Sequence, residues 1–274
     1  MADFRGATAD DFNFTALAPE DAVDFFTRKG FAIAFDWHDV WQEEHARAFT
    51  VAKAMTVDLL DDIRSVVDKA IAEGIAFEDF QAKLEPILRA RGWWGRQEMA
   101  DPLTGAKRDV QLGSVRRLGI IYDTNLRTSY SAGRWAQIQR VKERRPWLRY
   151  NDPDPNPRLE HLDWSGTIVH ADDPWVATHF TPNGWHCKCY FDNLSSDDLE
   201  RYGYKITGAP PDEMVPYTNP RTGQVTMTPR GVDPGFAHNV GDAGLAEARR
   251  QLDEKLNSAD PLVAAAIKKR WPQN

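Results

Sequence analysis

Cys187 and Cys189 are the only cysteines of this 274-residue chain, and they stand two positions apart. In an extended segment such side chains share a face, so we expect both thiols to point into the same space. Their Cα atoms would lie about 6.5 to 7 Å apart, at or beyond the upper edge of disulfide geometry. Two thiolates can instead bind one zinc ion at Zn–S distances of about 2.3 Å. The spacing therefore favours a shared metal ion over a disulfide.

Four of the seven histidines fall between residues 161 and 186, close to the cysteine pair. Two sulfurs and two imidazoles would complete a tetrahedral zinc site, and His186 would point away from the thiols in an extended segment. The predicted zinc ligands are Cys187, Cys189, His161 and His179. Their spacing matches no zinc-finger pattern, so two alternatives stay open. The cysteines could be ordinary buried apolar residues, or one could be a redox or catalytic thiol.

A second candidate site is the basic stretch from Arg116 to Arg149, which carries nine basic residues and two acidic ones. This stretch has a net charge of +7, which leaves −14 on the rest of a chain whose total is −7. Its end could follow phosphates while Trp147 and Tyr150 stack on bases. The predicted DNA-binding residues are Arg140, Lys142, Arg144, Arg145 and Arg149. The alternatives are a solvated helix end or contact with the acidic part of the same chain.

Most familiar enzyme motifs are missing from the sequence, including the metalloprotease, P-loop, nucleophile-elbow and dinucleotide-binding patterns. A metal-dependent nuclease or other DNA-processing enzyme remains as an alternative, in which His161, Asp163 or His179 holds an ion or activates water. Thiolates suit structural zinc better than the oxygen-rich sites of magnesium enzymes. We therefore expect the protein to act through binding.

The composition is that of an ordinary globular protein, with 42% hydrophobic and 27% charged residues. The length favours one or two domains. The sequence shows no apolar run long enough to span a membrane and no signal peptide at its N-terminus. We therefore expect a soluble protein that is made in the cytosol.

Helical periodicity dominates the first 110 residues. Apolar residues recur at three- and four-residue intervals and the segments end at glycine, as in short helices. The predicted helices cover residues 17–29, 36–54, 56–73 and 77–91.

A long helix is predicted to begin at Ser114, a good N-cap, and to reach Arg145 before Pro146. Small side chains at 128–133 allow close approach of another backbone, so we expect this helix to be central. The other predicted features are an extended link at 92–113, an irregular segment at 152–184 with a short strand at 167–169, a strand at 187–194, an aperiodic stretch at 205–240, and helical structure at 243–271 with a break near Asp260.

Five segments follow one another in a specific order and spacing: 125–134 (NLRTSYSAGR), 160–166 (EHLDWSG), 173–175 (DPW), 179–189 (HFTPNGWHCKC) and 231–239 (GVDPGFAHN). In this combination they resemble the phage Mu F-like head morphogenesis proteins, which are minor capsid proteins of tailed phages and prophages. The resemblance covers about residues 114–240, and the preceding helical part is similar to the N-terminal region of Mu-type members. Lys188 and His186 stand where family members often have arginine and glycine.

The resemblance implies a minor head protein inside the capsid, near the portal, that head morphogenesis and DNA packaging or delivery require. Its implied partners are the portal protein, other head proteins and packaged double-stranded DNA, with no membrane. Its implied location is the virion interior, and the host cytoplasm during assembly. It implies no established enzymatic activity for the core. Some relatives carry an extra toxin or nuclease domain after the core, for which we expect no room here.

These observations predict an α+β, mostly helical protein. The expected parts are a helical N-terminal module at 1–110, a Mu F-like core at 111–240 with a long central helix and a small, loop-rich β region, and a C-terminal helical segment at 241–274. A cytosolic, zinc-stabilised interaction domain without a role in the virion is a further alternative.

Overall fold

The computed structural model of the protein describes residues 20–258. Its architecture is α+β and mostly helical, as the sequence predicts. The α-helices in this range are α1 (Glu20–Thr27), α2 (Glu44–Arg47), α3 (Val57–Glu73), α4 (Phe77–Ala90), α5 (Val115–Val141), α6 (Leu159–Trp164), α7 (Pro174–His179), α8 (Ser196–Tyr202) and α9 (Val240–Ser258). The predicted helix start at Leu17 and the predicted break near Asp260 lie outside the described residues.

The strands form four small sheets. They are β1 (Gly30–Phe31), β2 (Ala48–Phe49), β3 (Arg96–Ala100), β4 (Lys107–Gln111), β5 (Trp147–Asn151), β6 (Ile168–His170), β7 (Tyr190–Leu194), β8 (Met214–Thr218) and β9 (Val225–Pro229). Strands β1 and β2 pair in parallel, whereas β3–β4 and β8–β9 are antiparallel pairs. The remaining sheet is antiparallel in the order β6-β5-β7.

Helix α5 is the central helix, as its small side chains predict. The hydroxyl of Ser114 caps it by accepting a hydrogen bond from the Arg117 backbone N–H at 3.2 Å. The helix ends at Val141, one turn before the predicted end. A Cβ atom added at Gly133 would lie 3.0 Å from the backbone nitrogen of Ala22, so α1 crosses α5 at close range there. Helices α3, α4 and α9 also pack against α5.

Two large hydrophobic cores lie along α5. The first contains the buried faces of α3 and α4, and Leu118 and Ile121 from the first half of α5. The second contains Trp135 and Ile138 from the second half of α5, together with the three-stranded sheet, α6 and α7. The candidate site lies in this second core. The domain boundaries at residues 110 and 240 stay predictions.

The predicted helices at 56–73 and 77–91 are confirmed as α3 and α4. The Thr56 side chain caps α3 by accepting from the Leu59 backbone N–H at 3.3 Å, and α3 ends at Gly74 in the left-handed region with φ 65°. The buried residues of α3 have the predicted helical spacing. Glycine fits this terminus because it has no Cβ to clash.

The predicted helix at 36–54 is wrong. This stretch forms a 3-10 helix at Trp37–Asp39, then α2, then β2. The Asp39 carboxylate accepts backbone N–H groups of Phe35 and Asp36 at 2.9 and 2.8 Å, and such local bonds compete with a continuing helix. Gln42 then has φ 48°, which no α-helix contains.

Several strands were not predicted. The link at 92–113 is the β3–β4 hairpin, and the aperiodic stretch at 205–240 contains the β8–β9 hairpin. Most residues of β3 and β8 are at least partly exposed on both faces, so apolar and polar residues do not alternate there. The strand predicted at 187–194 begins only at Tyr190, which leaves both cysteines in the preceding loop.

The short strand predicted at 167–169 is confirmed as β6. Two helices, α6 and α7, interrupt the segment predicted to be irregular. Between residues 20 and 258, no helix combines the length and the apolarity that crossing a bilayer requires.

Candidate metal centre

The structure brings His161, Cys187 and Cys189 together, which are three of the four predicted zinc ligands. One ligand atom of each lies within 4.8 Å of those of the other two. The His161 Nδ1 atom is 3.3 Å from Cys189 Sγ and 3.9 Å from Cys187 Sγ. All three side chains are buried, with exposed fractions of 2%, 6% and 7%. Both sulfurs thus face the same space, as predicted, although the cysteines precede the strand.

A turn before β7 gives the cysteines this orientation. Cys187 donates its backbone N–H to the carbonyl of Gly184 at 3.2 Å, and the intervening His186 has φ 59°. The His186 side chain is exposed and lies 3.3 Å from Asp123, away from the sulfurs. The prediction that His186 points away is therefore confirmed.

The tautomer of His161 follows from its second ring nitrogen. His161 Nε2 lies 2.9 Å from the carbonyl oxygen of Gly231. A carbonyl can only accept, so Nε2 carries the hydrogen and donates it. Nδ1 then keeps its lone pair, which faces the two sulfurs. This is the arrangement in which protein imidazoles bind metals.

His179 is not part of the group, which corrects the predicted set of four ligands. Its Nδ1 lies 3.1 Å from the carbonyl of Trp175, and its ring stacks on the Trp175 ring at 4.4 Å. The Trp164 ring contacts both imidazoles, at 5.0 Å from His161 and 4.7 Å from His179. Burial lowers the pKa of His179 to about 4, so its ring is neutral.

The pKa values of the two thiols shift in opposite directions. A hydrogen bond from Cys189, together with the neighbouring His161, lowers the pKa of Cys187 although burial opposes this. The neighbouring Cys187 sulfur and burial raise the pKa of Cys189. Burial lowers the pKa of His161, but its contacts with Cys187 and with the Gly231 carbonyl outweigh burial and raise it. The pocket therefore stabilises negative charge on sulfur.

An ion pair joins the 231–239 segment to the loop before β7 that carries both cysteines (residues 180–189, the cysteine loop). Arg158 donates two hydrogen bonds to the Asp233 carboxylate, at 2.6 and 2.9 Å. The same carboxylate accepts the backbone N–H of Trp185 at 3.0 Å, and Asp233 donates its own N–H to the carbonyl of Asn183 at 2.8 Å. The Trp185 ring packs on Phe236 at 5.2 Å. The sequence alone did not indicate a role for Arg158. The one signal for this ion pair was the position of Asp233 within the 231–239 segment, which is part of the family resemblance.

A buried chain of hydrogen bonds, from Tyr150 through Asn183 to His179, supports the cysteine loop. The Tyr150 hydroxyl donates to Asn183 Oδ1 at 2.9 Å, and Asn183 Nδ2 donates to the carbonyl of His179 at 2.9 Å. Tyr150 and Asn183 are both fully buried. No spacing rule in the sequence links these residues, because they lie 33 positions apart.

Helix α5 contacts both the cysteine loop and strand β7, which follows it. The Ser131 hydroxyl donates to the carbonyl of Thr181, and Arg134 donates to the carbonyl of Phe191 at 2.8 Å. The five segments that carry the resemblance therefore meet around one buried centre.

Four of the five predicted DNA-binding residues have partners within the chain. Arg140 forms an ion pair with Asp21. The other pairs are Lys142 with Asp172 at 2.7 Å, Arg145 with Asp198 at 2.8 Å, and Arg149 over the Tyr204 ring at 4.8 Å. Within residues 20–258, Arg144 has no ion pair. These contacts favour the alternative in which the basic stretch binds the acidic part of the same chain, and DNA binding stays a prediction.

The residues of the nuclease alternative do not come together. Asp163 is exposed on α6, whereas His161 and His179 are buried, and only His161 joins the cysteine pair. Among the described residues, the single group of three or more possible ligands contains no carboxylate.

Comparisons with known proteins agree with the resemblance. Residues 61–192 match the family described as Phage Mu protein F like protein. The Escherichia phage Mu protein F, which is named for capsid assembly, is 37% identical over 276 residues that cover 89% of this chain and 62% of that relative. The Mu-like prophage FluMu F protein of Haemophilus influenzae is 39% identical over 178 residues, which cover 65% of this chain and 42% of the relative.

The chain thus spans about three fifths of the phage Mu relative and about two fifths of the Haemophilus one. No solved structure gives a significant match to this chain.

Proposed function

Since residues 61–192 belong to the Phage Mu protein F like family, we propose that the chain is a minor head protein of a tailed phage or prophage. The observation that carries this proposal is the identity of 37%, across 89% of the chain, with a phage Mu protein named for capsid assembly. We place the protein inside the head near the portal, where head morphogenesis and DNA packaging or delivery require it. Its proposed partners are the portal protein and other head proteins.

The packing of the second core supports action through binding. The five segments of the resemblance are joined by hydrogen bonds and ring contacts, and an ion pair of Asp233 with Arg158 adds to them. The cysteine pair and His161 are at most 7% exposed, which leaves little access for a substrate. Such a region presents a fixed surface to partners.

Packaged double-stranded DNA is a further proposed partner. Arg140, Lys142 and Arg145 have ion pairs, and Arg149 contacts Asn151 and the Tyr204 ring, so we assign DNA contact mainly to Arg144. Because a basic side chain with a carboxylate partner must first exchange it for phosphate, Arg144, which has no ion pair within residues 20–258, is the favoured contact.

Deletion of the gene from its phage or prophage, with complementation from a plasmid, tests the proposal. We expect the deletion to yield defective heads or particles that fail to deliver DNA, and the wild-type gene to restore both. Normal infectious particles from the deletion strain would contradict the proposal and favour the cytosolic interaction domain. A pull-down with the purified portal protein tests the proposed contact, and no retention of the chain would refute that part.

The alternative, a metal-dependent nuclease or other DNA-processing enzyme, is tested by plasmid nicking with magnesium or manganese. We expect no nicking above the background of a mock purification. Nicking by the wild type that is lost in Asp163→Ala would establish the enzyme and overturn the binding role.

A further inference from the structure

We propose that Cys187, Cys189 and His161 form a three-ligand zinc site, with a water molecule in the fourth position. This site is independent of the proposed function, since it follows from the geometry of the second core. It differs from the set predicted from the sequence, because His179 is excluded.

The three proposed ligands converge from separate parts of the chain. His161 comes from α6, and the two cysteines come from the loop before β7, 26 and 28 positions further on. Their ligand atoms nevertheless lie within 4.8 Å of one another. Tetrahedral zinc with Zn–S bonds of about 2.3 Å and Zn–N bonds of about 2.0 Å places its ligand atoms roughly 3.5 to 4 Å apart. The observed His161–sulfur distances of 3.3 and 3.9 Å are close to that range.

The His161 imidazole is already oriented for binding a metal ion. The Gly231 carbonyl fixes the hydrogen on Nε2, and therefore the lone pair on Nδ1 faces the sulfurs. A carbonyl behind the ligating histidine is the usual support of a zinc site. Gly231 has φ 91°, and a Cβ atom there would lie 2.6 Å from the Glu160 side chain, so the close approach requires glycine.

The charge and softness of the three ligands also favour zinc. Two thiolates and one imidazole are a soft donor set, which selects zinc over magnesium or calcium. Zn²⁺ with two thiolates is neutral, so the loaded site would carry no net charge into a core whose ligands are at most 7% exposed. Two thiolates without the ion would repel each other there, and an isolated buried charge is costly.

No further histidine, cysteine or carboxylate occupies the fourth position among the described residues. Both ring nitrogens of His179 have other neighbours, since Nδ1 lies 3.1 Å from the Trp175 carbonyl and Nε2 lies 3.4 Å from the Asp212 carboxylate. His186 is exposed beside Asp123, and Asp163 is exposed on α6. Within residues 20–258 no fourth histidine, cysteine or carboxylate joins the group. A water molecule is therefore the remaining ligand.

The ion would connect three separate stretches of chain. These are α6, the cysteine loop and, through Gly231, the segment that follows β9. Binding energy at such a site adds directly to the free energy of folding.

The experiment has two parts, both on the full chain purified without chelator. Elemental analysis should find close to one zinc ion per chain. X-ray absorption at the zinc edge should find two sulfur and two nitrogen or oxygen neighbours. Less than about 0.2 ion per chain, or a first shell without two sulfurs, would overturn the proposal. Both readouts use the wild type, so they do not depend on any variant folding.

Variants then identify the ligands. Cys189→Ala and His161→Ala should each lower the zinc content at least several-fold. His179→Ala and His186→Ala are matched controls that should keep it, since neither ring faces the centre. Zinc retained by both ligand variants would contradict the assignment. Zinc lost from a folded His179→Ala protein would restore the four-ligand set and overturn this one.

Discussion

Arg158 and Asp233 form a two-bond ion pair, at 2.6 and 2.9 Å, across 75 positions of the chain. The pair holds the 231–239 segment against the cysteine loop, because Asp233 also accepts the Trp185 N–H. The segment in turn places the Gly231 carbonyl behind His161. This ion pair thus connects the 231–239 segment to the buried group of His161, Cys187 and Cys189.

Arg158→Ala should therefore destabilise the fold. Its loss removes two charge-assisted hydrogen bonds and leaves the Asp233 carboxylate with one main-chain donor, so we expect a loss of about 1 to 3 kcal/mol. Urea unfolding followed by tryptophan fluorescence would measure it. Arg230→Ala is the matched control, since Arg230 makes a similar two-bond pair with Glu213 at a more exposed position. We expect a loss of less than about 1 kcal/mol there, and equal losses would contradict the role of the Arg158 pair.

Glycine-to-alanine exchanges should have opposite effects at two helical positions. A Cβ atom at Gly241 would lie 2.2 Å from the Cβ of Trp135, so Gly241→Ala should cost about 1 to 3 kcal/mol through overpacking. At Gly119, in α5, the nearest atom would be 3.7 Å away on the Phe77 ring. Gly119→Ala should raise stability by up to about 1 kcal/mol, because alanine favours the helix. The same sign of change for both exchanges would refute the close contact of α9 with α5.

Stability should depend on pH through Lys29. Burial lowers its pKa from the ordinary 10.5 to about 7. The unfolded chain then binds more protons than the folded chain between about pH 7 and 10.5, so this group's contribution to stability rises with pH across that window. The penalty for burying its charge is fully present below pH 7. Lys29→Met should therefore stabilise the protein by at least about 1 kcal/mol near pH 6.

The stability difference between Lys29→Met and the wild type should shrink as the pH rises from 7 to 9.5, in unfolding experiments at constant ionic strength. Lys107→Met is the control, because this side chain is 71% exposed. A difference that does not change with pH would show that Lys29 is not buried as described.

DNA binding should depend on Arg144 more than on the paired basic residues. We expect Arg144→Ala to weaken retention of the protein on duplex DNA and to lower the slope of log affinity against log salt by about 0.9. Arg230→Ala removes one charge from an exposed ion pair elsewhere and serves as the control. An unchanged salt slope for Arg144→Ala would remove DNA contact from this surface.

The sequence predicted α3, α4 and α5 well, because their caps and apolar spacing are local signals. Thr56 and Ser114 cap the helices that follow them, and Gly74 ends α3. The hairpins were missed because their strands are largely exposed on both faces. Strand β5 did alternate, with Leu148 and Tyr150 buried, but its charged and aromatic residues were interpreted as a DNA-binding surface.

The candidate site was predictable only in part. The spacing of Cys187 and Cys189 was enough to predict that both sulfurs face one space. The spacing could not predict which histidine joins the sulfurs, because this depends on the distant partner of each ring, Gly231 for His161 and Asp212 for His179. The contribution of Gly231 depends on a contact between residues 70 positions apart, which no local pattern encodes.

The central claim is that this chain is a component of phage heads, and mass spectrometry of purified virions tests it most directly. The account predicts peptides of this chain in filled particles, in far fewer copies than the major capsid protein, and their loss when the gene is deleted. Infectious, gradient-purified particles that contain none of these peptides, from cells that make the protein, would contradict it.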